Sequence, residues 1–210
     1  MSGLNDKYVT VKNEAHVEFE EKRSLFIGHA IHVESEEEAA AFVKAIKKEY
    51  ADATHNVWAY HLKGGIIARY SDDGEPQGTA GMPVLEAIRK SGADDVCVVV
   101  TRYFGGILLG AGGLVRAYSH SAVIAINEAE IVVYEPYCEY RLVCGYSEYQ
   151  KYSNLLVLEK VIIDSTDFED VVKVSFAVKK TQSERILTKI SELGYGRDIP
   201  ELVGERFDCR

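Results

Sequence analysis

The sequence predicts an α+β chain of two domains, and three observations carry that expectation. With 210 residues, 47% of them hydrophobic, the chain is long enough for one sizeable core or two modest ones. Strand-like and helix-like hydrophobic periods alternate along its length. Near Glu135-Pro136 the rhythm changes, and the remainder of the chain reads β-α-β-β-α-β, the ferredoxin-like split arrangement. The expected domains are therefore 1–135 and 136–210.

In the first domain, Glu14–Glu20 and Ser24–Val33 read as strands. A helix comes next, with Ser35 as N-cap and Glu38 three residues on, a capping box. Its apolar stripe is Ala39, Phe42, Val43, Ile46 and Tyr50. Val57–Leu62 and Ile66–Ser71 read as a hairpin through Lys63-Gly64-Gly65. Asp72–Pro83 is too rich in glycine and proline to be regular. A short helix is expected from about Pro83 to Gly92, because proline suits a first helical position. Asp95–Thr101 suits a buried strand, and a helix is expected from about Leu114 to Glu128.

In the second domain, Tyr137–Tyr146 reads as a strand. Ser147 and Gln150 form a second capping box ahead of a helix. Val161–Ser165 is a further candidate strand. Val172, Val174, Phe176 and Val178 alternate with polar or small residues in a half-buried strand. Thr181 and Glu184 give a third capping box, and the helix they open is expected to stop at Gly194. Leu202–Phe207 closes the pattern as a strand.

Composition narrows the function classes. The net charge of −9 argues against a chain that simply coats nucleic acid. Residues 1–136 carry 13 basic and 20 acidic side chains, and residues 137–210 carry 11 and 13. A polyanion site must then be a local basic patch on an acidic body. No run is long and apolar enough for a membrane span, and the start, MSGLNDKYVT, does not read as a secretory signal. Cys97, Cys138, Cys144 and Cys209 form no C-x-x-C pair, so zinc and redox motifs are unsupported and a reduced, cytoplasmic setting is expected.

Two stretches carry chemistry. In Val98–Tyr118, a buried strand delivers Arg102 and Tyr103. The chain then runs through Gly105, Gly106, Gly110, Gly112 and Gly113 into a helix bearing Arg116. Glycines let backbone N–H groups approach a ligand, a helix start adds partial positive charge, and two guanidinium forks suit phosphate. These parts describe an anion cradle. Equally, the glycines serve tight packing, with the arginines paired to carboxylates. The stretch is neither a P-loop nor a dinucleotide fingerprint. In Ser71–Gly81, Asp72, Asp73 and Glu75, with Thr79 nearby, either hold Mg²⁺ through oxygens or neutralise Arg102 and Arg116. Which metal, if any, is left open.

The histidines read as structural. His55 and His61 flank Trp58 about 20 Å apart, at ~3.3 Å per strand residue, too far to share a metal. His29 and His32 face opposite sides. Ser119, His120 and Ser121 are helix neighbours rather than a triad. The tyrosines Tyr134, Tyr137, Tyr140, Tyr146, Tyr149 and Tyr152 read as packing residues. No catalytic residue is assigned and no cofactor is expected.

The stretches DDGEPQGTAGMPVL and VVVTRYFGGILLGAGGLVRAY, supported by ATHNVWAY, resemble the YigZ/IMPACT family. The resemblance implies an N-terminal ribosomal-protein-S5-domain-2-like α/β domain, of the type in GHMP kinases and domain IV of elongation factor G, and a ferredoxin-like C-terminal domain. It also implies a link to translation, because eukaryotic relatives regulate translation by competing for a kinase activator. Those relatives carry a further N-terminal interaction domain. Two positions depart from the family pattern: Leu108 stands where a lysine is usual, and Val57 where a cysteine is common. The first removes a positive charge from the proposed cradle.

Three function classes fit these readings. The favoured one is a non-catalytic binding protein contacting RNA, the ribosome or a translation factor through the glycine loop. The second is an enzyme or sensor for a small phosphorylated ligand with Mg²⁺. The third is a structural or adaptor protein without a ligand. The oligomeric state is left open.

Overall fold

The structure, a computed structural model, describes residues 7–62 and 64–209. The chain divides into two compact units, Tyr8–Val133 and a second made of the chain from Tyr134 onward together with Lys7.

The first unit opens with a short strand, β1 (Tyr8–Val11), and the next residues, Lys12 and Asn13, donate backbone N–H groups to the Ala129 carbonyl. Its main sheet contains β2 (Ala15–Glu21), β3 (Ser24–His32), β4 (His55–Leu62), β5 (Ile67–Ser71) and β6 (Val96–Tyr103), in the order β2-β3-β6-β4-β5. Every neighbouring pair is antiparallel. Helix α1 (Glu36–Glu49) covers one face; α2 (Gly81–Ser91) and α3 (Ala111–Glu128) cover the other.

The central strand explains this layering. Val96, Val98 and Val100 of β6 pack with the α2/α3 core, while Cys97 and Val99 pack with the α1 core. A strand covered on both faces must be apolar throughout rather than alternating, which is why it reads as a continuous run.

The second unit contains β7 (Ile131–Cys144, which enters it at Tyr134), α4 (Tyr146–Leu158), β8 (Ile162–Phe168), β9 (Val172–Lys179), α5 (Ser183–Leu193) and β10 (Glu201–Asp208). Its strands run β10-β7-β9-β8, all antiparallel. This is the ferredoxin-like βαββαβ order. Its core comes from both layers: Tyr140, Leu142 and Phe176 from the sheet, and Leu156, Ile186 and Ile190 from the helices.

Several expected details change. Of the three capping boxes, Ser35 alone caps through its side chain, its hydroxyl accepting the Glu38 N–H at 3.2 Å. The reciprocal Glu38 carboxylate accepts from the Glu34 N–H instead. Helix α4 begins one residue before Ser147, behind Gly145, and the Ser147 hydroxyl donates to Glu148. Thr181 lies in a 3-10 turn, Lys180–Gln182, that precedes α5. The order of residue types cannot reveal that a turn extends a helix past its apparent cap.

Helix α2 begins at Gly81 rather than Pro83, because the Asp72 carboxylate accepts the N–H groups of Ala80 and Gly81 at 3.1 and 2.8 Å. Helix α3 begins at Ala111 rather than Leu114, so Gly112 and Gly113 are helical. Strand β1 leaves no mark in the hydrophobic pattern, since four residues are too few to show a period. In the β4–β5 hairpin, Leu62 pairs with Ile67, and Lys63 lies outside the described residues. No described helix is long and apolar enough to cross a membrane.

Candidate functional site

Strand β6 ends at Tyr103, and the chain turns immediately across the β2–β3 turn. Gly105 makes this passage possible: a Cβ there would sit 1.8 Å from the Arg23 carbonyl oxygen. The Gly105 N–H donates to Ser24 Oγ at 3.2 Å. At Gly110 the backbone adopts φ 73°, ψ 166°, which glycine reaches at little cost, and α3 starts without a side-chain cap. Between these two glycines, Ile107 and Leu108 are exposed, Leu108 by 82%, and Phe104 stands exposed just ahead of them.

Arg102 lies beneath this loop, 5% exposed. Its Nη1 donates to Glu75 Oε1 at 2.5 Å, and its Nη2 to Ser24 Oγ at 3.4 Å. Its guanidinium carbon is 5.4 Å from the Phe26 ring centroid and 5.5 Å from that of Phe104. The Tyr118 hydroxyl donates to the same Glu75 oxygen at 2.7 Å. Burial raises the Tyr118 pKa, and the Glu75 charge raises it further, so the phenol is held as a donor. His55 Nδ1 donates to the Asp73 carbonyl at 2.8 Å, and its Nε2 lies 3.9 Å from Glu75 Oε1. Above this network is an open concavity of ≈ 430 Å³ bordered by Pro76, Phe104, Leu108 and Gly110.

The acidic turn is divided among three tasks. Asp72 serves the start of α2 and also accepts from the Gly78 N–H at 2.8 Å. Asp73, at φ 45°, accepts from Lys47 Nζ at 2.6 Å and from the Asn56 N–H at 2.7 Å. Glu75 neutralises Arg102. The Thr79 hydroxyl donates to the Pro76 carbonyl. Among the described residues no group of three or more His, Cys, Asp or Glu side chains converges as a metal-ligand set. Of the three carboxylates, Glu75 alone pairs with one of the two arginines, Arg102; Asp73 pairs with Lys47, and Asp72 acts as a helix cap.

Arg116 is elsewhere. It is exposed on α3 and lines a second concavity, ≈ 240 Å³, with Phe19, Lys22, Gly113 and His120. The two arginines therefore do not flank one cradle: Leu109 stands between the concavities and lines both. Tyr103 turns away to donate its hydroxyl to Asp52 at 2.8 Å. Gly106, at φ 84°, shapes the loop, and nothing lies within 4 Å of where its Cβ would be.

Sequence reasoning misses three participants. Tyr118 reads only as part of a helix stripe, His55 reads as structural, and Ser24 gives no signal. Lys22-Arg23 also escapes it, although a two-residue gap between two strands is a recognisable turn signal.

Comparisons with known proteins agree with this layout. Residues 22–126 match the Impact N-terminal domain, and residues 142–197 match a domain of unknown function, DUF1949. The chain is 37% identical over 196 residues to IMPACT family member YvyE of Bacillus subtilis (strain 168), covering 92% of this chain and 90% of that protein. It is 34% identical over 178 residues to IMPACT family member YigZ of Escherichia coli (strain K12), covering 83% and 87%. A crystal structure described as that of a hypothetical protein superposes with a TM-score of 0.60 at 31% identity, covering 95% of this chain and 98% of that one. With both domain matches in chain order and relatives aligned over nearly the whole length, this chain belongs to the IMPACT family.

Proposed function

We propose that this chain is a cytoplasmic, non-catalytic binding protein of the translation apparatus, and that its contact surface is the loop Phe104–Gly110 with the concavity beside it. One observation carries the reading. The polar floor of that concavity is internally neutralised by the Arg102–Glu75–Tyr118 network, while the loop above it holds three large apolar side chains in solvent. Such an arrangement supports docking better than proton or group transfer. The link to translation rests on family membership and is a fold-level and family-level argument.

Crosslinking and pull-down from native lysate tests it. Wild type should recover ribosomal RNA, ribosomal proteins or translation factors, and Leu108→Asp should lose them while remaining folded. Equal recovery by both would remove the loop as the contact surface, and recovery of no translation component would overturn the assignment.

A second reading, a small phosphorylated ligand, is favoured by the start of α3. Gly110 leaves that helix end without a side-chain cap beside the concavity. Thermal-shift measurements against nucleotides and phosphosugars, with and without Mg²⁺, should show stabilisation at millimolar ligand if this reading holds.

A further inference from the structure

The β2–β3 hairpin has a two-residue turn. Glu21 pairs with Ser24, and Lys22 and Arg23 span the gap at φ 48° and φ 64°. Both central residues of such a turn need positive φ, which Asn-Gly supplies at least cost. Side chains with a Cβ are disfavoured there by the backbone itself. Here two long cations occupy the least comfortable positions in the hairpin. Backbone strain that persists in a fold points to a use for the side chains that cause it.

The surroundings indicate what that use is. Lys22 and Arg116 line the same ≈ 240 Å³ concavity, and the exposed His120 stands edge-on to Phe19 with ring centroids 4.9 Å apart. Lys22, Arg23 and Arg116 are all exposed, and among the described residues none of their side chains has an ion pair or hydrogen-bond partner. Glu21 is the carboxylate in the lining. Many cations on the chain are held by carboxylates, such as Lys47 by Asp73, Arg89 by Glu86, Arg102 by Glu75 and Arg206 by Asp164; what distinguishes Lys22 and Arg116 is that they share one concavity. Gly105 presses against the Arg23 backbone, which places Phe104 beside the turn. That ring is 45% exposed and is backed by the Arg102 guanidinium.

We infer that the Lys22-Arg23 turn and Arg116 form a binding site for the phosphodiester backbone of single-stranded RNA, with Phe104 offering a face on which a base stacks. Guanidinium forks match phosphate oxygens in pairs. An exposed aromatic ring beside a cationic groove is the arrangement by which single strands are held without sequence preference. The site rests on the translation reading above and gives it a ligand class.

Fluorescence anisotropy of a labelled single-stranded oligoribonucleotide, titrated with the full chain, tests it. Three phosphate contacts on a single strand predict an affinity that falls about 20-fold between roughly 50 and 200 mM salt. Arg116→Glu should weaken binding by about tenfold or more and flatten that salt dependence. The double change Lys22→Asn with Arg23→Gly should also weaken binding while raising the melting temperature, because it relieves the turn. A structural role for the two cations would lower the melting temperature instead.

No salt-dependent binding by wild type, binding unchanged in both variants, or equal affinity for an oligoglutamate peptide would each overturn the RNA site. A pull-down from RNase-treated lysate separates it from the broader reading. Translation proteins recovered without oligonucleotide binding overturn only the RNA site. Oligonucleotide binding through the turn, with no translation component recovered, overturns the broader reading and leaves the site.

Discussion

Arg102 has the residue type of a phosphate ligand and the surroundings of a structural ion. It is buried against Phe26, and its charge is balanced by the equally buried Glu75. Its Nε has no hydrogen-bond partner among the described residues, so the guanidinium is only partly satisfied. Removing one member of a buried pair strands the other in a poorly solvating environment, which typically costs ~3–5 kcal/mol. Arg102→Ala should lower the unfolding free energy by that order in urea titrations. Arg102→Ala with Glu75→Ala should cost less than the sum of the single changes, because the stranded carboxylate is then gone. Additive losses would mean that the pair is not coupled.

His29 makes a different residue-scale prediction. Its Nδ1 is 2.7 Å from His16 Nδ1, and its Nε2 is 3.2 Å from Thr101 Oγ1. Burial, and secondarily the His16 charge, lower its pKa from 6.5 to about 4. The folded state therefore favours neutral imidazole. The contribution to stability is fully present above the unfolded pKa of 6.5 and is lost as pH falls through that value toward about 4. It amounts to about 3 kcal/mol at most. Urea midpoints measured from about pH 7 down to about pH 4 should fall more steeply for wild type than for His29→Asn. Parallel curves would show that His29 is not the titrating group.

At the scale of elements, the glycine loop is shaped by its close approach to the β2–β3 turn. Gly105 is the tightest point, because any Cβ there collides with the Arg23 backbone, which cannot rotate aside. Overpacking of this kind usually costs ~1–3 kcal/mol, and Gly105→Ala should fall at the upper end in chemical denaturation, with the loop displaced from the hairpin. A near-neutral change would show that the crossing has room to spare. The elements themselves are largely legible in the sequence. Continuous apolar runs, helical stripes and the β-α-β-β-α-β order all arise from burial, which hydrophobic pattern encodes directly. Helix starts are less legible. Asp72 caps α2 from eight and nine residues upstream, and a cap that distant has no local spacing to reveal it.

At the scale of the whole molecule, an acidic chain restricts where a polyanion can be held. With a net charge of −9, general attraction is unavailable, whereas Lys22 of the β2–β3 turn and Arg116 of α3 line one concavity. The sequence by itself determined the α+β class, the split order of the C-terminal unit, the acidic charge balance and the family. These depend on periodicity, composition and long motifs, all of which are properties of the chain read in order. Only the tertiary structure decided which charges are neutralised and which are free. It placed Arg102 against Glu75, divided three neighbouring acids among three tasks, and set the Lys22-Arg23 turn beside Arg116. Electrostatic pairing depends on distances between residues far apart in sequence, and those distances exist only once the chain has folded.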